Sequence, residues 1–254
     1  MKTVTGLVLA YLLLLHGCAA THHSRQGTTG IAEALPRAVE LSDTPFIPQS
    51  AHQCGPAALA TVMQSQQVAA TAEMLTPYLY VPQREGSLQI EMAVTARRFD
   101  MLPYPLQPKL AYVLAEIAAG NPVLVLQNLR FQWWPQWHYA VVVGYDMDSS
   151  TLALRSGTTK RWLTSFKNFE RTWNRADNWA LVVVPAGYIP ATADATIYLK
   201  TAYAFEQTGL NQAALEAYRA ATGTWPDHTA TWLSLGNLAY QSGLTEEAVD
   251  ALLT

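Results

Sequence analysis

Apolar and polar positions along the chain sort into stretches of different character. Leu7–Leu15 is an unbroken apolar run behind Lys2, too short to span a bilayer and shaped like the core of an export signal. From Thr21 to about Glu40 the pattern turns polar and mixed, which predicts a tether. Small apolar residues then crowd behind Pro56, at Ala57, Ala58, Leu59, Ala60, Val62 and Met63, and predict a buried helix with Pro56 at its first position. Further helices are expected over Ala70–Leu75, from Ser87 as cap through Val94, and over Lys109–Ala119 with Gly120 as its stop. Next come a short apolar strand, Pro122–Leu126, and a loop from Asn128 to Trp137. His138–Tyr145 and Thr151–Arg155 flank a turn at 146–150 and read as a hairpin. A helix over Ser165–Trp173 and a strand over Trp179–Val184 follow. Helices first and strands later predict an α+β domain with an antiparallel sheet.

Composition narrows the class. Of 254 residues 50% are hydrophobic and 14% charged, which points to a well-buried globular chain. A net charge of −3 gives no basis for nucleic-acid binding. No cofactor or metal is expected: His22 and His23 stand side by side in the tether without further ligands.

The first apolar run ends in Leu15-His16-Gly17-Cys18-Ala19, which resembles the bacterial lipobox. That resemblance implies cleavage before Cys18 and lipidation of its thiol. Ala19 after the cysteine, in place of Asp, implies the outer membrane, with the domain facing the periplasm. Several acyl chains hold a protein to a bilayer where one does not. With Cys18 acylated, Cys54 has no disulfide partner in the chain, since only two cysteines exist. A lone thiol in an oxidising compartment is buried or used.

Cys54 stands where an irregular polar stretch becomes a helix, where the helix dipole and unpaired N–H groups favour thiolate. A nucleophilic thiol needs a base. Within its domain only His52 and His138 qualify; His52 is two residues away and poorly placed to turn back on the thiol, whereas His138 opens a strand beside an aromatic loop.

Together Cys54-Gly55-Pro56-Ala57-Ala58, Gln49 upstream and His138-Tyr139-Ala140-Val141-Val142-Val143-Gly144-Tyr145-Asp146 resemble the papain-like peptidases that include the bacteriocin double-glycine leader peptidases, over Phe46–Val184. The resemblance implies a papain-like fold, Cys54 as nucleophile, His138 as general base and acid, and Gln49 helping to stabilise the oxyanion. Gln49 lies one residue closer to the cysteine than the family pattern, and Gln53 is a weaker stand-in. Where the family carries an Asp to orient the histidine, this chain reads Leu154-Arg155-Ser156-Gly157. Ser156 is the expected orienter, with Asn128 and Asp146 as alternatives. A hydroxyl fixes a tautomer but supplies no charge to stabilise an imidazolium.

The last sixty residues repeat at a period of 34. Tyr198 and Trp232, Ala202 and Gly236, Phe205 and Ala239, Gly209 and Gly243, and Ala214 and Ala248 are matched pairs. With Tyr218, Ala221 and Pro226 they resemble tetratricopeptide positions. Two such repeats, the second incomplete, need another surface to pack on.

The expected organisation is a signal peptide (1–17), lipidated Cys18 and tether (18–40), a papain-like cysteine peptidase domain (41–187) and an all-α tetratricopeptide-like segment (195–254). The expected function is that of a lipid-anchored cysteine peptidase acting on a peptide or protein, with the repeats docking a protein partner. A catalytically silent papain-like domain that binds peptide as a scaffold is the alternative.

Overall fold

Strand periodicity along β4 (Trp137–Asp146) sets the architecture. Tyr139, Val141 and Val143 project to one face, Ala140 and Val142 to the other, and all five are buried. A sheet apolar on both faces has to be covered on both.

The computed structural model describes residues 35–48, 53–84 and 86–254. The elements are β1 (Ala38–Glu40), α1 (Cys54–Ser65), α2 (Ala72–Leu79), a 3-10 turn (Pro82–Arg84), α3 (Gln89–Arg97), β2 (Met101–Pro105), α4 (Leu110–Ala118) and β3 (Val123–Asn128). After β4 come β5 (Thr151–Ser156), β6 (Thr159–Ser165), α5 (Phe166–Asn174) and β7 (Ala180–Pro185). Helices α6 (Ala195–Glu206), α7 (Asn211–Thr224), α8 (Thr229–Gln241) and α9 (Thr245–Leu253) finish the chain.

The sheet runs β2-β7-β3-β4-β5-β6 with every pairing antiparallel, and β1 pairs with β4 beyond the end of β3. The α+β antiparallel expectation is met. On one face α1, α2 and α3 pack Leu59, Met63, Leu75 and Met92 against Leu124, Tyr139, Val141 and Val183. On the other, α4 and α5 join the C-terminal helices in one apolar cluster containing Ile117, Val123, Val142, Trp173, Tyr198, Phe205 and Tyr218. The repeat-like segment is thus cored onto the sheet.

Several boundaries differ from the sequence pattern, each for a physical reason. Helix α1 begins at Cys54, two residues before Pro56, whose missing N–H still falls among those the first turn leaves unpaired. Ser87 does not cap α3: Leu88 is the cap residue, and the buried Ser87 hydroxyl has no partner. Strand β2 was hidden by Pro103 and Pro105, which an edge strand tolerates. Strand β6, with Lys160 and Arg161, is the opposite edge, where charge discourages further pairing. The stretch expected as tether contributes β1, whose Glu40 ion-pairs with Arg161 at 2.8 Å. Its side chain lies over Gly144, where an added Cβ would sit 3.1 Å from Glu40 Cγ.

Buried polar groups fasten the joints. Glu116 accepts from the Thr192 N–H at 2.7 Å, the Thr192 hydroxyl at 2.6 Å and Asn121 Nδ2 at 2.8 Å, tacking down the link into α6. Arg155 donates to the carbonyls of Thr44 (3.1 Å), Ser42 (3.2 Å) and Lys160 (2.8 Å), holding the segment that leads toward α1. Gly209 and Gly243 both sit at positive φ, 76° and 78°, just past α6 and α8. The 34-residue spacing therefore reproduces one helix-ending geometry twice. At Gly236 an added Cβ would lie 2.6 Å from Leu252, so α8 and α9 approach only because that position is bare.

Candidate active site

Cys54 opens α1, preceded by Gln53 as a cap residue that makes no side-chain capping bond. The first-turn N–H groups are consequently aimed at whatever lies beyond the helix end. Two of them, on Cys54 and Gly55, together with the N–H of Tyr139 from β4, favour the thiolate. Burial acts the other way and prevails, so the thiol is pushed up. The expectation of a thiol depressed by its helix end is corrected: removal from water outweighs three backbone donors.

Gly55 is dictated by contact. A Cβ there would come within 2.3 Å of Ser87 Oγ and 2.7 Å of Met92 Cε. The start of α1 is thereby seated against the lead-in and first turns of α3. Tyr139 closes the same corner: its hydroxyl donates to the Ser87 carbonyl at 3.2 Å, and its ring meets Trp179 edge-on with centroids 5.7 Å apart. Burial first, then the neighbouring Cys54 charge, drive its phenol far above the usual tyrosine range.

His138, the residue before Tyr139, is the second of β4. Its Nε2 lies 2.8 Å from Ser156 Oγ. The pairing of Val141 with Arg155 places Ser156, the last residue of β5, diagonally across from the imidazole. Burial lowers the His138 pKa. Burial thus favours the neutral form of each group, the thiol over the thiolate and the imidazole over the imidazolium.

Both alternative orienters are occupied elsewhere. Asn128 Oδ1 accepts the N–H groups of Gln136 at 3.0 Å and Arg130 at 3.1 Å, and its Nδ2 donates to the Phe131 carbonyl at 3.3 Å. Asp146 Oδ1 accepts the N–H groups of Asp148 at 2.8 Å and Ser149 at 3.1 Å, at the far end of β4. Of the sequence candidates the structure therefore joins His138 to Ser156, and sets the Cys54 thiol against the backbone of the residue next to His138. Gln49, His52, Cys18, His22 and His23 lie outside the described residues. The Tyr139 N–H, the Ser87 carbonyl and the Arg155 anchor were not singled out from sequence. Backbone groups carry no sequence signal, and only Gly55 beside the cysteine hints at the close approach.

Among solved structures, a C39-like peptidase from Bacillus anthracis matches with a TM-score of 0.49 and 16% identity, over 59% of this chain and 98% of that one. The peptidase domain of Streptococcus ComA, a bifunctional ABC transporter, matches at 0.45 and 16%, over 56% and 98%. A double-glycine-motif protease from an AMS/PCAT transporter, in complex with its leader peptide, matches at 0.44 and 19%, over 57% and 93%. No curated protein matches the chain. The pattern of the Peptidase C39 like family matches residues 41–181, the span that carries Cys54, His138 and Ser156 and all of the sheet except β1 and most of β7, and the chain belongs to that family.

Proposed function

We propose that this chain is an active cysteine peptidase, held to a bilayer through acylated Cys18, with its C-terminal helices serving as a tetratricopeptide-like dock for a protein partner. The observation that carries the catalytic reading is the His138–Ser156 bond, one residue along β4 from Tyr139, whose backbone N–H faces the Cys54 thiol. With Nε2 engaged by the hydroxyl, Nδ1 is left to take the thiol proton. Because burial favours the neutral form of both groups, proton transfer accompanies attack: Sγ bonds to the substrate carbonyl carbon as Nδ1 receives the proton. The Cys54 N–H, with Gln49 as its expected helper, stabilises the oxyanion. Collapse breaks the C–N bond, His138 protonates the leaving amine, and water then hydrolyses the thioester.

A silent, peptide-binding domain is the second reading, favoured by a hydroxyl on His138 Nε2, with no carboxylate there among the described residues, and by the raised thiol. Treatment with a peptide thioester separates the two. The wild-type chain should gain one acyl group on Cys54 by mass spectrometry, Cys54→Ala none, and His138→Ala should acylate about 10²–10⁴-fold more slowly. A wild-type chain that is neither acylated nor cleaves any member of a peptide library is the silent domain. For the anchor, Cys18→Ser should release the protein from membranes without altering Cys54 chemistry; undiminished membrane fractionation overturns that part.

A further inference from the structure

The loop between β3 and β4 keeps its largest apolar side chains out of the core. Phe131 is 59% exposed, Trp133 78%, Trp134 63% and Trp137 54%. Phe131 and Trp133 stack with centroids 5.5 Å apart, and Trp134 meets Trp133 edge-on at 6.2 Å. Rings left in water to themselves ordinarily collapse onto the nearest apolar surface. These are prevented by polar fastening. Buried Asn128 makes the three bonds given above, the Leu129 N–H donates to the Gln136 carbonyl at 2.9 Å and the Trp134 N–H to the Phe131 carbonyl at 3.2 Å. Arg175 adds a bond to the Arg130 carbonyl from α5. The loop is built to present rings.

Its position says to what. Trp137 begins β4 and directly precedes His138, so the loop stands at the end of the strand that carries the candidate general acid. In peptide-bond cleavage the acyl part stays on the cysteine, while the group that receives a proton from the histidine is the departing amine. Whatever flanks the histidine therefore flanks the C-terminal, leaving part of the substrate. Resting on the peptidase reading, we propose that Phe131, Trp133, Trp134 and Trp137 form a specificity element that binds an apolar or aromatic side chain of the polypeptide on the leaving side of the scissile bond. A bilayer is the competing occupant; adjacency to His138 favours the substrate.

Interception of the acyl-enzyme reads that side directly. An added amine attacks the Cys54 thioester carbonyl, its N–C bond forms as the C–S bond breaks, and its proton passes through His138 to the thiolate. After acylation by a peptide thioester, the ratio of amide product to hydrolysed acid should be at least about tenfold higher with phenylalaninamide or leucinamide than with glycinamide. The Trp133→Ala/Trp134→Ala chain should still be acylated on Cys54 by the thioester but should lose that preference. Trp162→Ala, which removes an exposed Trp elsewhere on the sheet, should retain it. Acylation without apolar preference, or a preference that survives the double substitution, overturns this inference and leaves the peptidase reading standing. Failure of the wild type to acylate overturns both. If the double substitution spares the preference but weakens binding of the Cys18→Ser chain to phospholipid vesicles, the rings belong to a bilayer contact and the inference falls.

Discussion

The two ends of β4 carry similar chemistry and put it to different use. At the His138 end the chain arrives through an eight-residue loop tied by Asn128; at the other it leaves through a tight turn tied by Asp146. Both side chains could in principle face an imidazole, yet each is consumed by the N–H groups of its own loop. Asp146 is further excluded by distance, since eight strand residues separate it from His138 by about 27 Å. Ser156 escapes the same fate because the next turn needs no side chain. Ser156 pairs with Thr159 across a two-residue turn in which Gly157, at φ 57°, supplies the backbone geometry. A polar residue is available for catalysis only when local backbone has not already claimed it.

That comparison can be broken by substitution, starting with the largest expected effect. Asn128→Ala should lower stability by about 1–3 kcal/mol, because it strips two loop N–H groups of their buried acceptor. Hydrogen exchange over residues 129–136 should accelerate, and denaturant unfolding should give the loss. If neither changes, the loop is not held by Asn128.

Next is Ser156→Ala, for which turnover should fall about tenfold or less, the scale of one neutral hydrogen bond of about 1 kcal/mol. Ser156→Asp sharpens the point through pH. In the wild type burial raises the thiol and lowers the imidazole, so iodoacetamide labelling of Cys54 should be slow at neutral pH and climb into the alkaline range. A carboxylate on Nε2 stabilises imidazolium and raises the His138 pKa. The imidazolium in turn stabilises thiolate and lowers the Cys54 pKa. The labelling profile should therefore shift toward lower pH. An unmoved profile would mean that position 156 does not govern the imidazole.

The smallest effect belongs to Asp146→Ala. Its turn N–H groups lie at the surface, where water replaces the lost acceptor, so stability should drop by only about 0.5–1 kcal/mol. Cys54 labelling and turnover should match the wild type. A large loss of turnover would return Asp146 to the site.

Much of this protein was legible along the chain because it rests on local rules. The apolar run behind Cys54, the alternation through β4, the turn at 146–150 and the 34-residue recurrence of Gly209 and Gly243 each report a nearby geometric need. The adjacency of Cys54 and His138 to such elements made them candidates without any coordinates. Tertiary structure decided the rest. Edge strands β2 and β6 carry prolines and charges that local pattern scores against, and only their single-sided pairing in the sheet permits them. Choosing among Ser156, Asn128 and Asp146 required knowing which side chains their own loops had used. The direction of the Cys54 pKa was likewise out of reach of sequence. The helix end that favours thiolate is a local feature, but the burial that overrides it comes from residues of α3, its lead-in and β4 meeting at one corner.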